Sequence, residues 1–305
     1  MSTPWHDPTW QARAEAESQA ALSAAGRPVT GPARVVQATV RACIRRVPTA
    51  GGEVWIKHAY ALPPREERVL EVLASRRPER LPSVVAVWPG AVATDPLPGV
   101  ELSESAPLED WTAVAAALGA LLAEEVGHVD AWLELGVRDR RPVHWAPAVE
   151  ALLESPVVTA LDADVLAGLR AFAPEFIHRY VEAWTGPATL VSQDSGCCNI
   201  HITDEGPIFY DWSDVVIGHP VFSCDRLLDQ APAGSPDAII AAFSDPLGLA
   251  REDYDAIRRS AVLHEVLRYH DELAYLAPGD GSYETLHAAV QSQLRVLVEF
   301  EAARR

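Results

Sequence analysis

Most of the information about the fold and the function lies in residues 190–220, which read LVSQDSGCCNIHITDEGPIFYDWSDVVIGHP. Asp194 stands five residues before Asn199, and a predicted β-hairpin over residues 199–210 then carries the chain to Asp211. Phosphoryl transfer needs these residue types, because one carboxylate accepts the proton of the attacking hydroxyl while an amide and a second carboxylate hold Mg²⁺. The stretch therefore predicts a phosphoryl-transfer site, although an Asp and an Asn at this spacing also form ordinary turns.

The N-terminal third of the chain predicts a small lobe built on an antiparallel sheet. Two strand-like runs surround Gly51 and Gly52, which predicts a hairpin, and a helix and a second hairpin follow. The predicted strands lie at 34–48, 53–58, 84–88 and 91–94, and the predicted helix lies at 65–75. The polar, Ala-rich residues 1–32 predict either a helix or a loose arm.

The rest of the chain predicts a larger, mostly helical lobe. Apolar residues at i, i+3, i+4 spacing mark helices. The predicted helices run from Trp111 to Val126, from Leu166 to Tyr180 with a kink at Pro174, from Tyr254 to Leu276, and onward from Ser282. The length of 305 residues exceeds the size at which a single core usually stops growing, about 250–300 residues. We therefore expect an α+β fold with an arm at 1–32, a small lobe at 33–97 and a helical lobe at 98–305.

The composition limits the partners and the compartment. Lys and Arg number 25 against 43 Asp and Glu, which gives a formal net charge of −18. Such acidity argues against nucleic acid or an anionic membrane surface as a partner, and it favours either a cationic ligand or plain solubility. Neither a membrane span nor a signal peptide is expected. Four cysteines without a CxxC pair are typical of a reduced, cytoplasmic protein.

The same motifs resemble those of a known family. The Asp-x4-Asn spacing matches the catalytic loop of protein kinases, and an Asp after a strand matches their metal-binding Asp. The chain looks like an aminoglycoside phosphotransferase-type small-molecule kinase, a family with the bilobal protein-kinase-like fold. Its usual loop is His-Gly-Asp-x-His-x-x-Asn, followed by an Asp-Trp segment that ends in Gly-x-Pro. Asp194 and Asn199 match the loop, and Asp211-Trp212 and residues 218–220 match the second motif.

The resemblance implies a role for several residues. Asp194 would be the catalytic base, and Asn199 and Asp211 would hold Mg²⁺. Lys57 would contact the α- and β-phosphates of ATP, and Glu66 would be its ion-pair partner, with Glu67 and Glu71 as competing choices. Residues 93–97 would form the hinge that binds adenine, with Thr94, Asp95 and Leu97 as its binding residues. The implied cofactors are ATP, with GTP as an alternative, and Mg²⁺.

The sequence also departs from the family pattern. Ser192 replaces the His before the catalytic Asp, and Gln193 replaces its Gly. The middle of the loop, residues 195–198, is Ser-Gly-Cys-Cys where His and Pro are usual, and the adjacent thiols are typical of inert packing. Residues 37–41, where the loop that covers the nucleotide is expected, contain no glycine.

Several classes of acceptor are compatible with the sequence. The resemblance implies a hydroxylated small molecule, and the family points to an antibiotic of aminoglycoside, basic peptide or nucleoside type. For a cationic antibiotic we expect the carboxylates of Asp214, Glu265, Asp271 and Glu272 to bind its ammonium groups, although the helical ones could equally form a solvated face. A primary metabolite such as a sugar or an amino alcohol is the alternative acceptor. A catalytically silent kinase-like binding protein is the rival from another class, and the chain is expected to be a monomer or a homodimer.

Overall fold

A five-stranded antiparallel sheet forms the small lobe. The computed structural model describes residues 4–39, 41–59, 66–276, 278–279 and 281–303. The strands are β1 (Arg34–Ala38), β2 (Ala42–Thr49), β3 (Gly52–Ala59), β4 (Val84–Trp88) and β5 (Ala91–Thr94), in the spatial order β1-β2-β3-β5-β4. Both predicted hairpins are present. The predicted strand over 34–48 is wrong in one respect, because a loop after Ala38 divides it into two paired strands.

The predicted arm is a helix that packs on this sheet. Helix α1 (Pro8–Ala24) begins with Asp7 as its N-cap and a proline in its first turn, a combination that favours helix initiation. Leu22 is fully buried with Val47, Val54 and Ile56 in the core of the small lobe. The helical alternative is therefore the one that the chain adopts, and it covers one face of the sheet.

Helix α2 (Glu66–Arg76) is the single helix expected within the small lobe. Its apolar residues Val69, Leu70 and Leu73 are buried in the larger core, which continues into the helical lobe. Arg65, the predicted start of this helix, lies outside the described residues. Helix α2 therefore packs in a core shared by the small-lobe sheet and the helical lobe, and Glu66 is its first residue.

The large lobe is mostly helical, as predicted. Its helices are α3 (Leu108–Glu125), α4 (Val129–Glu134), α5 (Pro142–Leu153), α6 (Pro156–Thr159), α7 (Ala163–Ala183), α8 (Val221–Leu228), α9 (Pro236–Ser244), α10 (Arg251–Arg258), α11 (Ala261–Leu273) and α12 (Gly281–Ala303). Two small sheets lie among them. One has the order β10-β9-β6 and the other β7-β11-β8, from β6 (Val100–Glu101), β7 (Arg138–Asp139), β8 (Thr189–Ser192), β9 (Ile200–Thr203), β10 (Gly206–Phe209) and β11 (Val215–Gly218).

Two expectations about the helices need correction. The single helix predicted over 254–276 is two helices, α10 and α11, and the break falls at Ser260, a residue type that favours the N-cap over the helix interior. The short helices α5, α6 and α9 were not predicted, because such short segments show little periodicity. Each carries a proline in its first turn, which was the available signal. Pro174 lies inside α7 without ending it.

One described segment, Leu108–Glu134, is long and apolar enough to cross a membrane by length and composition alone. Its residues Trp111, Val114, Leu118 and Leu121 are buried in the large core. We therefore interpret the segment as core helices of the helical lobe.

The connection between the lobes depends on a glycine. After β5 the chain passes through Gly99, whose φ is +73°, and then pairs β6 with β9. A Cβ atom at this position would lie 1.9 Å from the carbonyl oxygen of Ile202. Only glycine tolerates both the left-handed backbone and this approach, so the β9–β10 hairpin and the lobe connection are held against each other here.

Gly99→Ala should destabilise the protein much more than Gly90→Ala. Gly90 also has a positive φ, +81°, but open space around it, so its substitution carries only the cost of the left-handed conformation, about 1–2 kcal/mol. Gly99→Ala adds a backbone clash and should cost about 3 kcal/mol or more. Urea unfolding of both variants measures the difference, and equal destabilisation would contradict the close packing at Ile202.

Candidate active site

A partly buried lysine joins the two lobes. Lys57 on β3 places its Nζ 2.8 Å from Oε2 of Glu66, at the start of α2, and 2.8 Å from Oδ1 of Asp211, which follows β10. The other oxygen of Glu66 accepts a hydrogen bond from the backbone N–H of Trp212 at 3.2 Å. The pairing of Lys57 with Glu66 is the predicted one, and Glu67 instead accepts a hydrogen bond from the backbone N–H of Gly90.

The charges of this triad follow from burial and proximity. Burial alone would lower the pKa of Lys57, but the two carboxylates beside it outweigh burial and raise that pKa. Burial raises the pKa of Glu66 to about 7 against the attraction of Lys57. Lys57 and the hydroxyl of Ser213 lower the pKa of Asp211 despite its burial. Lys57 and Asp211 are therefore both charged at neutral pH.

Asp211 has an unusual backbone conformation. Its φ of +59° is the only positive value among the described residues other than glycine. Aspartate visits this left-handed region at a cost, so surrounding contacts must hold it there. Its Oδ1 accepts from Lys57 and, at 2.6 Å, from the hydroxyl of Ser213. The conformation turns the carboxylate toward the small lobe directly after the hairpin.

The loop between β8 and β9 carries Asp194 and Asn199. The side-chain nitrogen of Asn199 donates to the backbone carbonyl of Asp194 at 2.8 Å, so the amide oxygen is the end suited to a metal ion. The backbone N–H of Tyr210 donates to the carbonyl of Asn199 at 3.1 Å, which sets Asn199 next to the segment that carries Asp211. Arg226 donates through Nε to Oδ1 of Asp194 at 3.2 Å and so orients this carboxylate.

The residues that depart from the family pattern anchor this loop. Ser223 on α8 donates its hydroxyl to the carbonyl of Ser192 at 2.9 Å and accepts at its own carbonyl from the hydroxyl of Ser195 at 2.6 Å. Gln193 lies 3.0 Å from Nε2 of His264, and burial lowers the pKa of that histidine to about 3, so the neutral ring accepts from the amide. The loop is therefore fixed without the family's His and Gly.

Arg268 is a central residue that sequence reasoning missed. It is buried on α11 and donates to the backbone carbonyl of Gln193 at 2.6 Å. The guanidinium also lies 3.7 Å from the carboxylate of Asp194, 3.5 Å from that of Asp214 and 3.6 Å from that of Glu272. An arginine beside Leu267 on the apolar stripe of a helix was the available signal. Arg268 thus holds the β8–β9 loop and two further carboxylates together.

The candidate site opens into a cleft between the lobes. A cavity of about 430 Å³ is lined by Lys57, Glu66, Asp194, Asp211 and Asp214, with residues of the β1–β2 loop and of α12 around them. Five of the predicted site residues therefore line one cavity. This is large enough for the reacting part of a small ligand, since ligand sites are typically about 300–1,000 Å³.

The predicted adenine-binding residues lie at the lobe connection. Thr94 ends β5, and Asp95 and Leu97 follow it. The side chain of Asp95 pairs with Arg27 at 2.8 Å and accepts from Ser83 at 3.0 Å, so it fixes the connection itself. None of these three residues is among the described residues that line the cavity.

Two of the carboxylates predicted for the acceptor have partners outside the cleft cavity. Asp271 pairs with Arg138 on β7 and with Arg140 just after it. Glu265 accepts a hydrogen bond from the hydroxyl of Tyr269 at 2.8 Å. Neither residue forms the purely solvated helix face that was the alternative.

Asp214 and Glu272 share two arginines. Arg268 contacts both carboxylates, and Arg41 from the small lobe pairs with Asp214 at 3.5 Å and with Glu272 more closely. Burial raises the pKa of Asp214, and burial together with the neighbouring Asp214 raises the pKa of Glu272 to about 7. A cationic acceptor would have to compete with these arginines for the carboxylates.

The oxygen donors beside Asp211 suit Mg²⁺. A carboxylate and an amide oxygen match this ion, which is usually held by one or two carboxylates together with substrate phosphates and waters. No cluster of three or more His, Cys, Asp or Glu side chains that could hold a metal occurs in the described part of the chain. Partial desolvation raises the pKa values of Cys197 and Cys198, so both thiols are protonated at neutral pH.

His219 of the second motif is structural. It is fully buried, and its Nε2 donates to the carbonyl of Thr185 at 2.8 Å while Nδ1 accepts from the backbone N–H of Val221 at 3.4 Å. Burial lowers the pKa of His219 to about 4, so the ring is neutral. It fixes the turn between β11 and α8, the helix whose Ser223 contacts the β8–β9 loop.

Comparisons with known proteins confirm the fold. No protein-family model and no curated protein sequence matches this chain. The macrolide 2′-phosphotransferase MphH from Brachybacterium faecium superposes with a TM-score of 0.63 at 16% identity, with 88% of this chain and 96% of that chain covered. A choline/ethanolamine kinase family protein from Mesorhizobium loti gives 0.62 at 17% identity, with 95% and 99% covered. The streptomycin–ATP ternary complex of APH(2″)-IIa gives 0.63 at 12% identity, with 92% and 96% covered. The chain therefore has the bilobal, protein-kinase-like α+β fold that the sequence predicts.

His219→Gln should change how stability depends on pH. The unfolded chain binds a proton at this histidine below about pH 6.5, whereas the native ring resists protonation down to about pH 4. The free energy of unfolding of the parent therefore falls as the pH is lowered through this window, by up to about 1.4 kcal/mol per pH unit from this group.

Urea unfolding of parent and variant between pH 7.5 and 5 measures the effect. The variant is less stable at pH 7.5, and its deficit should shrink as the pH falls because it lacks this titration. The other histidines cancel in the difference between the two proteins. A deficit that stays constant over the range would contradict a neutral, buried His219.

Proposed function

We propose that this protein is an ATP- and Mg²⁺-dependent phosphotransferase that phosphorylates a hydroxyl group of a small molecule. The observation that carries the proposal is the single cavity that unites Lys57, Asp211 and Asp194 between the two lobes. A phosphate-binding cation, a metal-binding carboxylate and a proton acceptor are the parts that phosphoryl transfer requires. The shared fold with small-molecule phosphotransferases and kinases supports the same reaction class.

The residues divide the reaction among them. The oxygen of the acceptor hydroxyl attacks the γ-phosphorus of ATP, the bond from that phosphorus to the bridging oxygen breaks, and ADP leaves. Asp194 accepts the proton of the hydroxyl, and Arg226 holds its carboxylate in position. Lys57 orients the phosphates, and Asn199 and Asp211 offer oxygen ligands to the metal ion. Mg²⁺ supplies charge neutralisation of the phosphates when bound. We assign adenine to the lobe connection that Thr94, Asp95 and Leu97 form.

The finer proposal is that the acceptor is an antibiotic, so that the reaction serves resistance or self-protection. A macrolide 2′-phosphotransferase and a ternary complex of APH(2″)-IIa with streptomycin and ATP, both among the structures of the same fold, support it. The net charge of −18 favours a polycation, but the carboxylates of Asp214, Asp271 and Glu272 already pair with arginines. This pairing favours a hydroxylated acceptor with few positive charges, of which a macrolide is one kind.

A primary metabolite is the alternative acceptor. A choline/ethanolamine kinase family protein has the same fold, and a small amino alcohol needs only one carboxylate for its single ammonium group. Glu265 is suited to this role, because its partners are the neutral side chains of Tyr269 and Gln293 rather than an arginine.

Phosphate transfer from γ-labelled ATP to a panel of acceptors tests the proposal. The panel contains macrolides, aminoglycosides, nucleoside antibiotics, sugars, choline and ethanolamine, and GTP is tested beside ATP. Mg²⁺-dependent label on an acceptor supports the phosphotransferase, and the acceptor class separates the antibiotic from the metabolite. Nucleotide binding without transfer to any acceptor would favour the catalytically silent binding protein.

Asp211→Asn should remove the response to Mg·ATP. A ligand at a hundredfold excess over its Kd stabilises the native state by about 2.7 kcal/mol, and the parent should show this as a rise in Tm that EDTA reduces. The variant keeps the side-chain size but loses the carboxylate for the metal and for Lys57, so most of the rise should disappear. Far-UV circular dichroism checks that the variant is folded. An unchanged rise in Tm would remove Asp211 from the site.

Asp194→Asn should lower kcat about 10²- to 10⁴-fold, the usual contribution of a positioned proton acceptor. The affinities for acceptor and Mg·ATP should stay nearly the same, because the loss falls on the transition state. Asp204→Asn, at the exposed turn of the β9–β10 hairpin, is the matched control and should leave kcat unchanged. Full activity in Asp194→Asn would exclude this residue as the base.

A further inference from the structure

The loop between β1 and β2 is built without glycine. Thr39 accepts at its hydroxyl from the backbone N–H groups of Arg41 and Ala42, at 3.2 and 3.1 Å, and its carbonyl accepts from the indole N–H of Trp5 at 2.6 Å. Val40 lies outside the described residues. A loop with side chains at each position keeps its backbone farther from a ligand than a glycine loop does. Contact with phosphates at this loop therefore has to come from a side chain.

Arg41 is the side chain that extends from this loop across the cleft. Its guanidinium pairs with Asp214 and Glu272 of the helical lobe, and it lines the same cavity as Lys57 and Asp194. A guanidinium presents several N–H donors in a planar fork, which suits phosphate oxygens. Arg41 therefore lies on the same cavity as the candidate phosphate-binding lysine.

The carboxylates that line the cleft outnumber its cations in the described part of the chain, so a bound triphosphate needs a cationic side chain beside it. Among the described residues that line the cavity, four carboxylates face two cations, Lys57 and Arg41. Lys57 already contacts two of those carboxylates, at 2.8 Å each. A nucleoside triphosphate with one Mg²⁺ still carries negative charge, which the carboxylates would repel. Besides Lys57, Arg41 is the other cation among the described lining residues, and it stands where it can compensate this charge.

Arg41 can move away from the carboxylates of Asp214 and Glu272 while each of them keeps another cation beside it. Arg268 lies 3.5 Å from Asp214 and 3.6 Å from Glu272, so both carboxylates keep a buried cation beside them. Removal of one partner from a buried ion pair is costly mainly because it leaves an uncompensated charge, and that cost is small here. Arg41 can therefore exchange its contacts with these two carboxylates for contacts with phosphate oxygens at a small cost in free energy.

We propose that Arg41 binds the triphosphate of the nucleotide, moving onto it from Asp214 and Glu272, and so replaces the backbone contacts of a glycine loop. The proposal rests on the proposed nucleotide site and adds a residue to it. In this proposal the side chain of Arg41 contacts the phosphates, and Asp214 and Glu272 hold the guanidinium when no nucleotide is bound.

Calorimetric titration of Arg41→Gln tests the proposal with Mg·ATP and adenosine as probes at pH 8. The affinity for Mg·ATP should fall about 10- to 100-fold, the range of one or two charge-assisted hydrogen bonds, while the affinity for adenosine should not change. Arg46→Gln is the matched control, because Arg46 stands on β2 and pairs with Glu53 instead. It should bind both probes like the parent.

Glu272→Gln provides a second test that does not depend on the folding of Arg41→Gln. This change weakens the hold on Arg41, so the affinity for Mg·ATP should rise several-fold. Parent-like affinity for Mg·ATP in both variants would overturn the proposal. Arg41 would then only connect the two lobes through its ion pairs. A parent that binds no Mg·ATP would instead overturn the proposed function, and this inference with it.

Discussion

The ion pairs of Lys57 with Glu66 and Asp211 are the interaction on which the rest of the structure depends. Strand β3 and the start of α2, which are close in sequence, meet the segment after β10, 154 positions further along the chain from Lys57, at one ammonium group. Loss of Lys57 would leave the buried carboxylate of Glu66 without its cation, which is the costly way to break an ion pair. The lysine therefore fixes the position of the small lobe over the segment that carries Asp211, and it helps to hold Asp211 in its left-handed conformation.

Much of this arrangement could be predicted from the sequence, because local patterns encode it. The hairpins follow from strand-like runs on either side of turn residues, and the pairing of Lys57 with Glu66 follows from their places on the strand and helix of a recognised order of elements. The resemblance also led to Asp194 and Asp211, which line one cavity. The likeness of the whole fold to known phosphotransferase structures confirms the two-lobed architecture.

The arginines of the site could not be predicted in the same way. Arg41 and Glu272 are 231 positions apart, and no periodicity relates residues at such a separation. Arg226 stands on a short amphipathic helix, where an arginine ordinarily faces solvent, yet it orients the carboxylate of Asp194. The break between α10 and α11 was also missed, because the apolar pattern continues through Ser260, the residue at which it falls. Tertiary contacts decide these features, and the sequence shows only the residue types that take part.

The shared partners of Arg268 constrain how the specificity of this protein can evolve. The guanidinium of Arg268 contacts the β8–β9 loop, Asp214 and Glu272 at the same time. A substitution at any of these positions therefore changes the electrostatic environment of the others. The effects of substitutions in such a group are not additive. A change that is neutral with one neighbour is damaging with another, and the order in which changes arise determines which paths remain open. Changes in the shape and charge of the cleft should therefore arise first at positions outside this group.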